Sequence, residues 1–226
     1  MGVHDGHRDR LRERFLTYGL DSFEDHEIVE LLLFYAIGRR DTNPLAHELV
    51  HRFGSLAGIM DASFQELLQV DGVGKQTATL LQLIKPLCRE YLISQAQELS
   101  TLNTVDICAH YLIPYFFGAR EEHVFLLCLD AKCRPICCRE VAAGDAISSE
   151  IPLKKVAKLA IDSGAVSVIL SHNHPGGDLT PSKEDYNATS LLRNMLKPMN
   201  IILADHIIIC GNDYLSFARA GIFHTT

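Results

Sequence analysis

No run in this 226-residue chain reaches the roughly 18 consecutive apolar residues that a membrane-spanning helix needs, so no span is expected. The opening residues, Met1-Gly2-Val3-His4-Asp5, contain no apolar stretch of the kind found in a secretory leader. Positive charge is in deficit: 21 Lys and Arg stand against 28 Asp and Glu, a formal net charge of −7. That balance argues against a protein that coats nucleic acid non-specifically through a basic surface. The seven cysteines include no Cys-x-x-Cys pair, and Cys133, Cys137 and Cys138 have no downstream partner pair with which to form a structural metal site. Reduced thiols in a cytoplasmic protein are therefore expected. With 47% hydrophobic residues the chain can build real cores, and its length lies between one large domain and two ordinary ones.

What the chain does have is a dense run of polar chemistry behind an apolar strand. Ala165-Val166-Ser167-Val168-Ile169-Leu170 is rich enough in β-branched residues for a buried strand, and Ser171-His172-Asn173-His174-Pro175-Gly176-Gly177 follows it directly. Strand side chains alternate, so His172 and His174 share a side and Asn173 faces the other. Thr180-Pro181-Ser182 then reads as a helix entry, with Ser182 as N-cap and Asp185 three residues on. Two imidazoles at a strand end and a carboxylate on the next helix's first turn can meet at one point. Three N/O donors with an open fourth position suit a catalytic zinc. A Ser-x-x-Asp helix start and two loop histidines would produce the same letters with no metal.

The remaining elements fall into two groups. Residues 7–20 read as a helix closed by Gly19, with Arg8, Arg10, Arg12 and Arg14 interleaved with Asp9 and Glu13 on a solvated, salt-bridged face. A helix over 22–36, capped by Ser22 or Asp25, is apolar nearly all round and is expected to be the core of a first domain. Pro44 suits the first turn of a third helix, which Gly54 ends. Val70-Asp71-Gly72-Val73-Gly74-Lys75 resembles the turn of a helix-hairpin-helix element, in which Gly72, Gly74 and Lys75 could contact a DNA phosphate. Residues 1–100, however, carry 10 Lys and Arg against 15 Asp and Glu, which weakens DNA as a partner. After a helix reaching about Ile93, residues 94–103 read as a polar linker and place the boundary at 98–103. Beyond it come a helix over 104–117, strands at 124–129 and 135–141 joined by a turn at Asp130-Ala131-Lys132, and a helix from Leu153 to about Ser163. The strand bearing the histidines follows, then a helix to about Met199, a strand over 201–210 with a bulge near Asp205-His206, and a short strand at 214–217. Strands interleaved with helices imply an α/β layer fold with a mixed sheet.

The string His172-x-His174-Pro175, the ten residues between His174 and Asp185, and Ser182 three residues before Asp185 resemble the signature of the JAMM (MPN+) metalloproteases. The surrounding chain resembles, more narrowly, the bacterial RadC-like JAB-domain proteins, although Gly176 stands where a serine often follows the proline. The resemblance implies an all-α helix-hairpin-helix domain over 1–98 and a JAB/MPN, cytidine-deaminase-like α/β domain over 102–226. It also implies one Zn2+ per chain held by His172, His174 and Asp185, an oxyanion-side role for Ser182, and a general-base glutamate. Glu122 is the choice for that base, with Glu121 and Glu140 as rivals. Asp205 and His206 are candidates to support a ligand histidine from behind. The implied activity is hydrolysis of a peptide, isopeptide or other amide. The alternative is a DNA-associated repair or recombination protein that binds DNA through its helix-hairpin-helix domain, including a metal-dependent nuclease.

Overall fold

The computed structural model describes residues 5–144 and 152–224. The opening Met1-Gly2-Val3-His4 segment lies outside them. The chain divides into two units, one up to Cys88 and one from Arg89 onward.

The first unit is helical: α1 (Asp5–Tyr18), α2 (Asp25–Ala36), α3 (Asn43–Phe53), α4 (Leu56–Asp61), α5 (Phe64–Leu68) and the start of α6 (Lys75–Ala96). Gly19 closes α1 at φ 68° and Gly54 closes α3 at φ 82°, both in the left-handed region that glycine enters without a Cβ clash. The cap of α2 is Glu24, not Ser22 or Asp25. Glu24 and Glu27 satisfy one another's backbone N–H groups reciprocally, which no serine or aspartate nearby is placed to do. The short helices α4 and α5, capped by Ser55 and Ser63, are too brief to announce themselves by periodicity. Val29 and Leu33 bury against Leu49, Ile59, Leu67 and Leu81, while Leu31 and Phe34 face a second cluster with Leu11. Helix α2 is thus apolar on two sides because it is packed on two sides.

The arginines of α1 do not form one solvated face. Arg8 is buried, and its guanidinium donates to the carbonyls of Ile37 (2.8 Å), Gly38 (3.1 Å) and Arg40 (2.6 Å), pinning the connector after α2. Arg12 makes the expected surface pair with Asp9 at 3.4 Å, whereas Arg14 pairs not with Glu13 but with Glu27 of α2 at 2.5 Å.

The second unit contains α7 (Val105–Leu112), β1 (His123–Leu129), β2 (Pro135–Ala143), α8 (Leu153–Asp162), β3 (Ser167–Asn173), α9 (Lys183–Leu196), β4 (Ile202–Cys210) and β5 (Asp213–Ser216). The strands lie in the order β2-β1-β3-β4-β5. Central β3 is antiparallel to β1 and parallel to β4, so the sheet is mixed. Alternate residues supply both faces. Val124, Leu126, Val168 and Leu170 pack with Val156 of α8 and Leu192 and Leu196 of α9. Phe125, Leu127, Ile169, Ile207 and Ile209 pack with Leu112 of α7. Burial on both faces explains why β1 and β3 read as continuous apolar runs and not as alternating ones.

The helix expected over 104–117 is shorter, since Pro114 has no N–H to give and the chain tightens into a 3-10 turn from Ile113 to Phe116. The stretch 94–103 is not a free linker. Ile93, Ala96 and Leu102 bury in the second unit's core, and this places the division at Cys88 and Arg89 inside α6, before the expected 98–103. A bulge falls in β4, where Val168 and Ile169 pair with Leu203 and Asp205 and Ala204 is skipped. The seven cysteines are free.

Replacing Arg8 by Met keeps the apolar stem but leaves three carbonyls without their donor. The substitution should lower stability by about 1–3 kcal/mol, read as a shift of the urea midpoint of the full chain.

Candidate metal centre

Helix α9 faces the sheet along a stripe at helical spacing: Asp185, Thr189, Leu192, Leu196. Its lower half seats the helix on the core, and its first two turns carry polar groups to the end of β3. On β3, His172 continues the side of Val168 and Leu170 and so faces α9. On β4, His206 lies beside Leu170 in register and faces the same way. Three elements therefore deliver side chains to one spot.

Hydrogen-bond chemistry then settles which nitrogens carry protons. The Thr189 hydroxyl lies 2.6 Å from the main-chain oxygen of Asp185, an atom that can only accept, so its one proton goes there. His206 Nδ1, 2.6 Å from the same hydroxyl, must therefore be the donor. Burial, with the neighbouring His172, drives the pKa of His206 well below the ordinary imidazole value, so its Nε2 is left as an acceptor. That Nε2 lies 2.8 Å from His172 Nδ1, which must donate to it. His172 thus turns an unprotonated Nε2 outward. A shorter version of the same logic applies to His174, whose Nδ1 lies 2.6 Å from the carbonyl of Asp178 and donates to it.

The two free Nε2 atoms lie 2.9 Å apart. The carboxylate of Asp185 joins them, Oδ1 at 3.1 Å from His172 Nε2 and Oδ2 at 3.7 Å from His174 Nε2. Lone pairs and a negative charge meet there, and such a point takes a proton or a cation. Burial alone would raise the Asp185 carboxyl, but contacts with His172, His174 and Ser182 outweigh it and hold the group far below the usual carboxylate range. The hydrogen bond to Asp185 raises the pKa of His174 against the opposing effect of burial, with the Asp178 carbonyl and the charges of Asp185 and Glu122 adding to it.

Among the described residues, His172, Asp185 and His206 also form a group whose donor atoms all lie within 4.8 Å of one another, a possible metal site. His206 qualifies by distance, yet both of its nitrogens are occupied by Thr189 and His172. His174 offers a free nitrogen beside Asp185, and on chemical grounds it is the better third donor. Two neutral imidazoles and one carboxylate are a donor set that a borderline divalent ion such as zinc accepts.

The other residues singled out from sequence are placed as follows. Ser182 caps α9, accepting from the Asp185 N–H at 3.1 Å, and its hydroxyl donates to Asp185 Oδ2 at 2.7 Å. Asp205 lies on the opposite face of β4 from His206, and its carboxylate meets that residue at the main chain, accepting the His206 N–H at 2.8 Å. It accepts from Ser216 Oγ at 2.5 Å and the Ala218 N–H at 2.9 Å, holding the turn after β5. Glu122 is half-buried just before β1, and its charge reaches His174. Glu140 is instead taken by His123 Nδ1 at 2.5 Å, and the Glu121 carboxylate stands 4.0 Å from the same ring. Gly72, Gly74 and Lys75 belong to the first unit, where Gly72 turns at φ 88° under the Arg40 guanidinium and Lys75 opens α6.

Two residues at the site were not foreseen. Thr189 carried a signal, since it lies four residues after Asp185 on the inward stripe of α9. Asn173 carried none. Its Oδ1 accepts from the His123 N–H at 2.7 Å and its Nδ2 donates to the Glu121 carbonyl at 3.0 Å. This side-chain amide prolongs the β1–β3 ladder past its last backbone pair, Val124 with His172, and fixes the segment that carries Glu122.

Both parts of the chain are similar to known proteins. Residues 102–222 match the model of the RadC-like JAB domain, and residues 6–79 match that of the UPF0758 N-terminal region. A UPF0758 protein of Fusobacterium nucleatum subsp. nucleatum is 35% identical, the alignment covering 97% of this chain and 97% of that protein.

Thr189→Val keeps the shape but removes the hydroxyl that fixes the His206 tautomer. Affinity for a divalent metal should fall about 10–100-fold, the effect usual for losing an outer partner of a ligand histidine, while Thr189→Ser should retain it. Competition with a chromogenic chelator checks both.

Proposed function

The chain belongs to the RadC-like JAB-domain family, and on that premise we propose that it is a zinc-dependent hydrolase of peptide, isopeptide or related amide bonds. The observation that carries the proposal is the convergence of three N/O donors, His172 Nε2, His174 Nε2 and the Asp185 carboxylate, with the charge of half-buried Glu122 reaching His174.

When bound, the ion would supply Lewis acidity, lowering the pKa of a coordinated water from 15.7 toward about 7. The chain's own residues do the rest. His172 and His174 are held in the binding tautomer by hydrogen bonds on their far nitrogens, so no rearrangement precedes binding. Asp185 contributes one negative charge, which leaves a divalent ion partly uncompensated and able to polarise a carbonyl. Glu122 stands where it can take a proton from an attacking water and return it to a leaving amine, the task of a general base and then acid. Of the three glutamates considered, Glu140 and Glu121 stand against His123, whereas the charge of Glu122 reaches His174. Ser182 orients Asp185, and its hydroxyl is the nearest neutral donor that could turn toward an oxyanion.

Purified chain should carry close to one zinc by elemental analysis. Asp185→Ala or His174→Ala should lose most of it, and full retention in both would refute the site. Glu122→Gln should keep the zinc and lose about 100-fold or more of any hydrolysis of a peptide library.

A pH dependence follows as well. A metal needs His174 Nε2 unprotonated, and the pKa of that ring is raised above its ordinary 6.5. Protons therefore compete below the raised value and cease to compete above it. Zinc affinity should climb by up to about tenfold per pH unit on the acid side and then level off, as read by chelator competition between about pH 6 and 8.

A further inference from the structure

A cavity of about 370 Å³ opens in the second unit beside the candidate centre. Buried Phe116 and Ile209 line it together with Ile113, Ala119, His174 and Pro175. None of its lining residues is an Asp, Glu, Lys or Arg.

Two of the segments that line it adjoin the chemistry. His174 is both a candidate ligand and a wall, and its backbone N–H donates at 2.9 Å to the carbonyl of Ile209. Ala119 lies three residues before Glu122, on a segment that Asn173 pins to the end of β3. An amide held between Glu122 and His174 would therefore have one flanking residue against this cavity. A volume in the range of small-molecule sites, lined mostly by apolar side chains and with no carboxylate, lysine or arginine, favours an uncharged group. Seating a charge there would cost its hydration with nothing to replace it.

We propose that this cavity is the subsite that receives a bulky, uncharged apolar side chain adjacent to the scissile amide. The proposal rests on the hydrolase reading above and narrows its substrate class to amides that carry such a residue.

Two probes test it on the zinc-loaded full chain by isothermal titration calorimetry. Acetohydroxamate chelates the metal without a tail, and 3-phenylpropionohydroxamate adds an apolar one. The aryl probe should bind about tenfold tighter or better, as expected for burying a phenyl ring. Ala119→Phe and Ile113→Trp, two independent ways of filling the cavity, should each bring the aryl probe down to the level of acetohydroxamate and leave acetohydroxamate unchanged. Equal affinity of the two probes for the unaltered chain would overturn the subsite, as would an aryl advantage that survives both substitutions. If acetohydroxamate itself fails to bind the zinc-loaded chain, the hydrolase reading falls and the subsite with it, an outcome distinct from equal binding.

Discussion

The candidate centre depends on one hydrogen-bonded chain, from the main-chain carbonyl of Asp185 through Thr189 and His206 to His172. A carbonyl can only accept, and that single fact propagates outward. It sends the threonine proton one way, forces the His206 proton onto Nδ1 and leaves His172 Nε2 bare. The two links at His206 are buried, and breaking either would strand a polar group away from water at a cost of about 1–3 kcal/mol. The tautomer of His172 is therefore set by the fold and not by solvent. The chain also begins and ends at the same place, since Asp185 supplies both its first acceptor and a carboxylate beside its last nitrogen.

The sheet makes that chain possible. Strand β3 is central, so its end is flanked by β1 on one side and β4 on the other, and α9 passes over it. Parallel pairing of β3 with β4 puts His206 beside Leu170, one step before His172 on the same face. Antiparallel pairing with β1 brings the segment before His123 to the end of β3, where Asn173 takes hold of it. The two faces of one short strand thus do different work. His172 turns toward the donors, while Asn173 turns away and positions the segment bearing Glu122.

Much of this was readable before any coordinates. The apolar run of β3, the helix cap at Ser182 and the spacing from His172 to Asp185 follow local rules of alternation and capping, and those rules hold here. The same is true of Gly19 and Gly54 as helix ends. Local rules failed where tertiary contacts override them. Arg8 looks like a solvated arginine among acidic neighbours, but the connector after α2 presents three carbonyls to it. Asp205 and His206 are adjacent letters that read as one unit, yet their side chains face opposite ways, and the Asp205 carboxylate accepts the His206 N–H while it holds the turn after β5. The stretch 94–103 is polar in composition, but Ile93, Ala96 and Leu102 at and near its ends bury in the second core.

The sequence by itself determined the donor types and their order: two imidazoles at a strand end, a carboxylate on the next helix, and a cap between them. These are local matters, set by residues within 14 positions of one another, from His172 to Asp185. Only the tertiary structure decided which nitrogens face the centre, how the segment bearing Glu122 is fixed to the end of β3 and what lines the neighbouring cavity. Those outcomes turn on pairings across 17 to 52 residues, between Thr189 and His206, His172 and His206, and Asn173 and Glu121. No local rule reaches that far, because such partners meet only when the sheet order and the helix crossing have put them side by side.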